Sequence, residues 1–273
     1  MTSPEYPGTS SIAVASAVDV YTRGQSLKIQ LIGENKISGD RCIFVSGALE
    51  ISGNGSLNAT GYTYGVYAGG DLTIDSAAIS ASTVGGTAVN SQGNLTIRNS
   101  NNVTGTSTGT RGIYGLDSIT IEGSNVTGIS TSSNFYSGIQ SNGNITVKDS
   151  KLTAKSANDA GLVAPNGSLS IINSTVEAMT EFDDDEYGTF AIAGNQITIS
   201  GGNVTATATG RYSHAICSYS TLDICGGATV TAKATSTGSY PAVYGAGVIS
   251  VSDSRVTAVQ REMRLFTPPP TSL

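Results

Sequence analysis

One pattern returns nine times between residues 49 and 258, and it leaves few folds open. Its units include "DLTIDSAAISAS", "NITVKDSKLTAKS" and "QITISGGNVTATA". The first aliphatic residues of the nine are Leu49, Leu72, Leu95, Ile119, Ile145, Leu169, Ile197, Leu222 and Ile249, separated by 23, 23, 24, 26, 24, 28, 25 and 27 residues. Each unit holds three short apolar sites. The first is Leu-x-Ile. The second is of the Val-x-Ala type, centred on Leu57, Ile79, Val103, Val126, Leu152, Val176, Val204, Val230 and Val256. The third is a small residue followed by an aliphatic one: Val66, Val89, Ile113, Ile139, Val163, Ile192, Ile216 and Val243. Alternation with period two inside each site is the signature of a strand with one buried face. No stretch carries the three- and four-residue spacing that a helix needs.

The spacing between sites sets the geometry. First and second sites lie 7 or 8 residues apart, and the third precedes the next first by 6, or by 5 from Ile192 to Ile197. The step from second to third varies from 9 to 16. Two corners are therefore fixed and one is free. Gly precedes the first site at Gly70, Gly93, Gly143, Gly167 and Gly247, and Asn99, Gly123, Asp149, Asn173, Gly201, Gly226 or Asp253 follows it. All of these residue types tolerate left-handed backbone, which tight corners require.

Three strands per coil with like positions recurring every turn predict an all-β fold. It is a right-handed, single-stranded parallel β-helix (a β-solenoid) of about nine to ten coils of 23–28 residues each. Like positions then stack at about 4.8 Å. One outward row reads Thr73, Thr96, Thr120, Thr146, Ser170, Thr198, and the next reads Asp75, Arg98, Glu122, Lys148, whose alternating signs favour pairing between coils. "LKIQLIGENKISGDRCIFVSG" reads as an early, shortened coil, with Ile37 and Ile43 in its second and third sites. The solenoid is expected over 27–258, after an irregular segment or partial cap coil at 1–26 and before a tail at 259–273. Three consecutive prolines in that tail cannot donate to a ladder. An open solenoid end is an exposed edge that needs cover, so the chain reads as part of a larger multidomain protein.

Composition narrows the function. A net charge of −6 lacks the basic footprint of a nucleic-acid partner. No apolar run is long enough to insert into a membrane, and the first residues show no signal peptide. Three cysteines (Cys42, Cys217, Cys225) make no disulfide framework.

The glycine-punctuated units "GDLTIDSAAISA" and "GNITVKDSKLTA" resemble the right-handed parallel β-helix of the pectate-lyase-like superfamily. More narrowly, they resemble the β-helical carbohydrate-binding domains of secreted and surface proteins of Firmicutes. "LKIQLIGENKISG" is similar to the first coil of those domains. The resemblance spans roughly residues 27–258. It implies an extracellular or cell-surface location and a polysaccharide or cell-surface glycan as partner. It also implies calcium held by acidic residues of the coils. The position before the first strand, where members carry Asp, is Asp71 here but Asn94, Ser118, Asn144 and Ser168 in later coils.

The free corner is where a binding site is expected, because loops vary there over a constant scaffold. Tyr62, Tyr64, Phe135, Tyr136, Phe182, Tyr187, Tyr212 and Tyr240 all fall in it. Tyr67, Asn90, Tyr114, Gln140 and Tyr244 follow the third aliphatic site and should form a row beside it. Aromatic faces beside amides and hydroxyls suit sugar rings. The bland alternative is that tyrosine serves only as a packing residue in a chain with no Trp. The longest of these loops carries "EFDDDEYG". Calcium needs converging oxygens, and side chains in extended backbone alternate, so Glu181, Asp183 and Asp185 are the candidate ligands. The alternative is a solvated acidic tip.

Hydrolases of this fold use several strand-borne Asp residues and a Gly-His-Gly, which the chain lacks. Its one histidine, His214, reads as structural or surface. Arg111 and Arg211 lie in the corner without a strand-borne carboxylate pair beside them. The expectation is a non-catalytic polysaccharide-binding or adhesion domain, with no cofactor beyond calcium. The alternatives are a structural stalk and, third, a polysaccharide lyase.

Overall fold

The computed structural model describes residues 20–22, 24–181, 188–210, 212–236 and 240–262. Among them every regular element is a strand, there is no helix, and all pairings are parallel. The strands stack as a β-solenoid of about 9 turns. Three ladders form its three faces. The first runs from Leu27–Leu31 through Leu49–Gly53, Leu72–Asp75, Asn94–Arg98 and Ser118–Glu122 to Ile249–Val251. The second runs from residues 34–39 through Ala78–Thr83, Val103–Ser107, Asn125–Ser130 and Lys151–Ser156 to Arg255–Glu262. The third starts with Val20–Thr22 and passes through Val89–Ser91, Ile113–Gly115 and Ile139–Ser141 to Val243–Gly245. Pairing thus begins before residue 27 and continues four residues past 258.

The interior is a set of aliphatic ladders. Leu72, Leu95, Ile119, Ile145 and Leu169 occupy one register position in successive coils, and each is at most 1% exposed. Burying a side chain of this size stabilises by about 1.5–3 kcal/mol. The third ladder departs from expectation in one coil. Leu162, not Val163, pairs with Ile139 and Ile192 and faces the core. An irregularity between Ala164 and Ser168 supplies the extra residue, and Val163 moves to the outward row.

The corner after the first face is left-handed at one position in coil after coil. φ is 61° at Ser76, 54° at Asn99, 56° at Gly123, 49° at Asp149, 48° at Asn173 and 47° at Asp253. The glycines before the first face have a different cause, because none of them has positive φ. A Cβ on Gly143 would strike the Asp117 carbonyl, and one on Gly167 the carbonyl of Gly143. Glycine sits there because successive coils approach too closely for a side chain.

Beside the left-handed corner runs a buried serine ladder. The amides of Ser100, Ser124 and Ser150 donate to the hydroxyls of Ser124, Ser150 and Ser174 in the following coil, at 3.0, 3.1 and 3.1 Å. The Ser124, Ser150 and Ser174 hydroxyls donate to carbonyls two residues back, at 2.8, 2.6 and 2.7 Å. On the outside of the first face the charge row pairs between coils. Arg98 meets Asp75 at 2.8 Å and Lys148 meets Glu122 at 2.7 Å.

Candidate binding face

A corner of small residues shapes the third face. Cys42, Gly65, Ala88, Gly112, Gly138, Gly161, Ala191, Ala215 and Ala242 each precede the inward aliphatic residue. There is no room for more. A Cβ on Gly65 would lie 2.8 Å from the Ala81 Cβ, and one on Gly161 would lie 2.7 Å from the Ala154 carbonyl oxygen. The small residue and its aliphatic neighbour both turn inward. The residues on either side of this pair therefore both face away from the core, three positions apart in sequence, and long side chains there meet, as in Arg41–Phe44, Tyr64–Tyr67 and Arg111–Tyr114.

Two outward rows follow from this. The row after the aliphatic residue is in register as Phe44, Tyr67, Asn90, Tyr114, Gln140, Val163, Ala193, Cys217 and Tyr244. The row before the small residue includes Arg41, Tyr64, Arg111, Phe190 and His214. Sequence reasoning found Tyr64 and the second half of this pattern but missed Arg41, Phe44, Phe190 and Tyr219. For Arg41 and Phe190 the signal was the fixed position two residues before each third-site aliphatic, and for Phe44 the position just after it; Tyr219 stands at neither.

Contacts between the rows form three groups along the face. Toward the N-terminal end, Phe44 stacks on Tyr67 with centroids 4.4 Å apart, Tyr64 lies 4.6 Å from Tyr67, and Arg41 stands 5.1 Å over Phe44. Burial, reinforced by Tyr64, raises the Tyr67 hydroxyl pKa. Tyr62, two residues before Tyr64 in sequence, is 63% exposed. In the middle, the Arg111 guanidinium lies 4.8 Å from the Tyr114 ring and 5.1 Å from the Tyr136 ring, and its Nε donates to Gln140 Oε1 at 2.5 Å. Asn90 is buried one coil earlier and accepts from Gln92 at 2.9 Å. Phe135, at the neighbouring loop tip, is exposed.

Toward the C-terminal end, His214 stacks 6.0 Å from Phe190 and 5.1 Å from Tyr244, with Tyr240 at 5.4 Å and Tyr212 5.2 Å from Tyr240. His214 is therefore neither isolated nor on the open surface, as it is 8% exposed and part of the aromatic group. Burial lowers its pKa, while the 2.6 Å hydrogen bond between Nδ1 and the Pro241 carbonyl opposes that shift. Between the middle and C-terminal groups the face is apolar. Ala160, Val163, Ala193 and Cys217 form a small buried cluster against Phe190. Burial pushes the Cys217 thiol up to about 12, so it carries no thiolate near neutrality. Tyr219 is 43% exposed, yet burial, with help from Cys217 and Asp159, raises its hydroxyl to about 12.

Of the acidic loop, Glu181 is described and exposed, while Phe182, Asp183, Asp185 and Tyr187 lie outside the described residues, as does Arg211. Among the described residues no group of three or more His, Cys, Asp or Glu is arranged to hold a metal ion. The positions before the first face are joined by hydrogen bonds between coils instead. Asn94 donates to Asp71 at 3.1 Å, Ser118 to Asn94 at 2.7 Å, and Ser168 to Asn144 at 3.1 Å. No protein-family model matches the chain, and neither a curated protein nor a solved structure matches it.

Proposed function

We propose that the third face is a glycan-binding surface of an extracellular, non-catalytic β-helix domain, related in kind to the carbohydrate-binding members of the pectate-lyase-like superfamily. One observation carries this reading. Two outward rows, rich in tyrosine, amides and arginine, run side by side along the solenoid axis. Tyr67, Asn90, Tyr114 and Gln140 stand in unbroken register over four coils. An elongated track of this kind matches an elongated polymer. Aromatic rings pack on the C–H faces of sugars while amides and hydroxyls take their hydroxyl groups.

A glycan array run with and without calcium tests the proposal. Binding to a defined set of polysaccharides is expected, with at least about tenfold weaker affinity after Tyr64→Ala, Tyr114→Ala or Tyr136→Ala, the loss typical of truncating a central aromatic contact. Absence of binding to every glycan, or indifference to all three substitutions, would leave the structural-stalk reading in its place.

A further inference from the structure

The central group holds a cation that has no counter-ion among the described residues. Among the described residues, the ion pairs use Lys28, Arg41, Arg98, Lys148 and Lys155, and none uses Arg111. Arg111 is nevertheless half-buried and fixed on three sides, by the Tyr114 ring, the Tyr136 ring and the Gln140 amide oxygen. Asp159, two coils further on, is engaged elsewhere and accepts from Ser137 Oγ at 2.6 Å. Only Nε is taken up by Gln140, so the terminal N–H groups of the guanidinium remain to meet a ligand. A planar fork held in this way is pre-organised for an oxyanion with two oxygens to share, and little side-chain freedom is left to lose on binding. The two rings against the cation also displace water, which strengthens the charge it presents.

We propose that Arg111 makes the middle of the third face an anion-reading subsite, so that the preferred ligand is an acidic glycan bearing a carboxylate or a sulfate ester. This rests on the glycan-binding reading above. Within it, Arg111 is the specificity-determining residue, Gln140 its positioning partner, and Tyr114 and Tyr136 the platform.

The test uses the whole chain on an array that contains neutral, uronate-bearing and sulfated glycans, repeated for the variants Arg111→Gln and Arg111→Lys. Thermal unfolding of each variant is recorded beside the binding. The expected result is binding confined to charged glycans and weakened by added salt. Arg111→Gln should reduce it by about tenfold or more, as removal of a charged hydrogen-bonding partner does. Arg111→Lys, which keeps the charge but not the fork, should fall between. The carboxylated and sulfated arms identify which oxyanion is read. Neutral glycans binding as well as charged ones, or charged glycans unaffected by Arg111→Gln in a folded variant, would overturn the subsite while leaving glycan binding intact. Failure of every glycan to bind overturns both.

Discussion

Burial disfavours the charged form of His214, the only histidine in the chain. Burial lowers its folded pKa below the ordinary value of 6.5, so near and below that pH the unfolded chain binds more protons than the folded one. Its contribution to stability is complete above pH 6.5. It is lost as the pH falls from there through the depressed folded value. Glu122, whose pKa is lowered first by its hydrogen bond to Lys148, acts in the same direction at more acidic pH. The difference between wild type and His214→Gln therefore isolates the imidazole. Urea unfolding at pH 7.5 and 5.5 should show the wild type losing more stability than the variant, and parallel losses would contradict this account. The sequence concealed this role. A single His in "YSHAIC" carries no visible partner, because Phe190 and Tyr244 reach it only when neighbouring coils stack. The expected row of Tyr67, Asn90, Tyr114 and Gln140 was legible because a fixed offset from an aliphatic residue survives any loop length.

At the scale of the strand and its corners, the two fixed turns owe their regularity to different physics. The turn after the first face was readable from its Asn, Asp and Gly residues, since left-handed backbone selects them. The turn before it has the same glycines for a steric reason that only the stacked coils reveal. The serine ladder was likewise hidden, because serine is too common in this chain for four of them to stand out. The hydroxyls of Ser124, Ser150 and Ser174 each satisfy an amide that no strand pairs. Ser150→Ala should strand the Ser124 amide in a buried site and lower stability by roughly 1–3 kcal/mol in urea unfolding. Ser168→Ala, which removes an outward hydroxyl on Asn144, should change it by no more than about 0.5 kcal/mol. Equal effects would remove the ladder's structural role.

Across the whole molecule, stability is a sum over neighbouring coils, and the two ends differ. Ile29 and Leu31 in the first coil are 8% and 4% exposed, whereas Ile249 and Val251 at the other end are 46% and 50% exposed. One coil below them, Leu222 and Ile224 are buried. Amide hydrogen exchange should therefore be fastest, among the strands, in Ile249–Val251 and Arg255–Glu262, with protection rising toward the middle coils. Even protection along the chain would refute this gradient. The global fold was the most legible property of all, since nine repetitions of one pattern average out local ambiguity. The candidate face was legible only by halves, because half of it is written two residues before the landmark and half one residue after it. The fixed corners have a wider consequence. They reset the strand register once per turn, so a loop lengthened at the free corner disturbs nothing beyond its own coil. In evolutionary terms, this chassis can exchange what it displays without renegotiating how it is built, and a designer could graft peptides at that corner on the same principle.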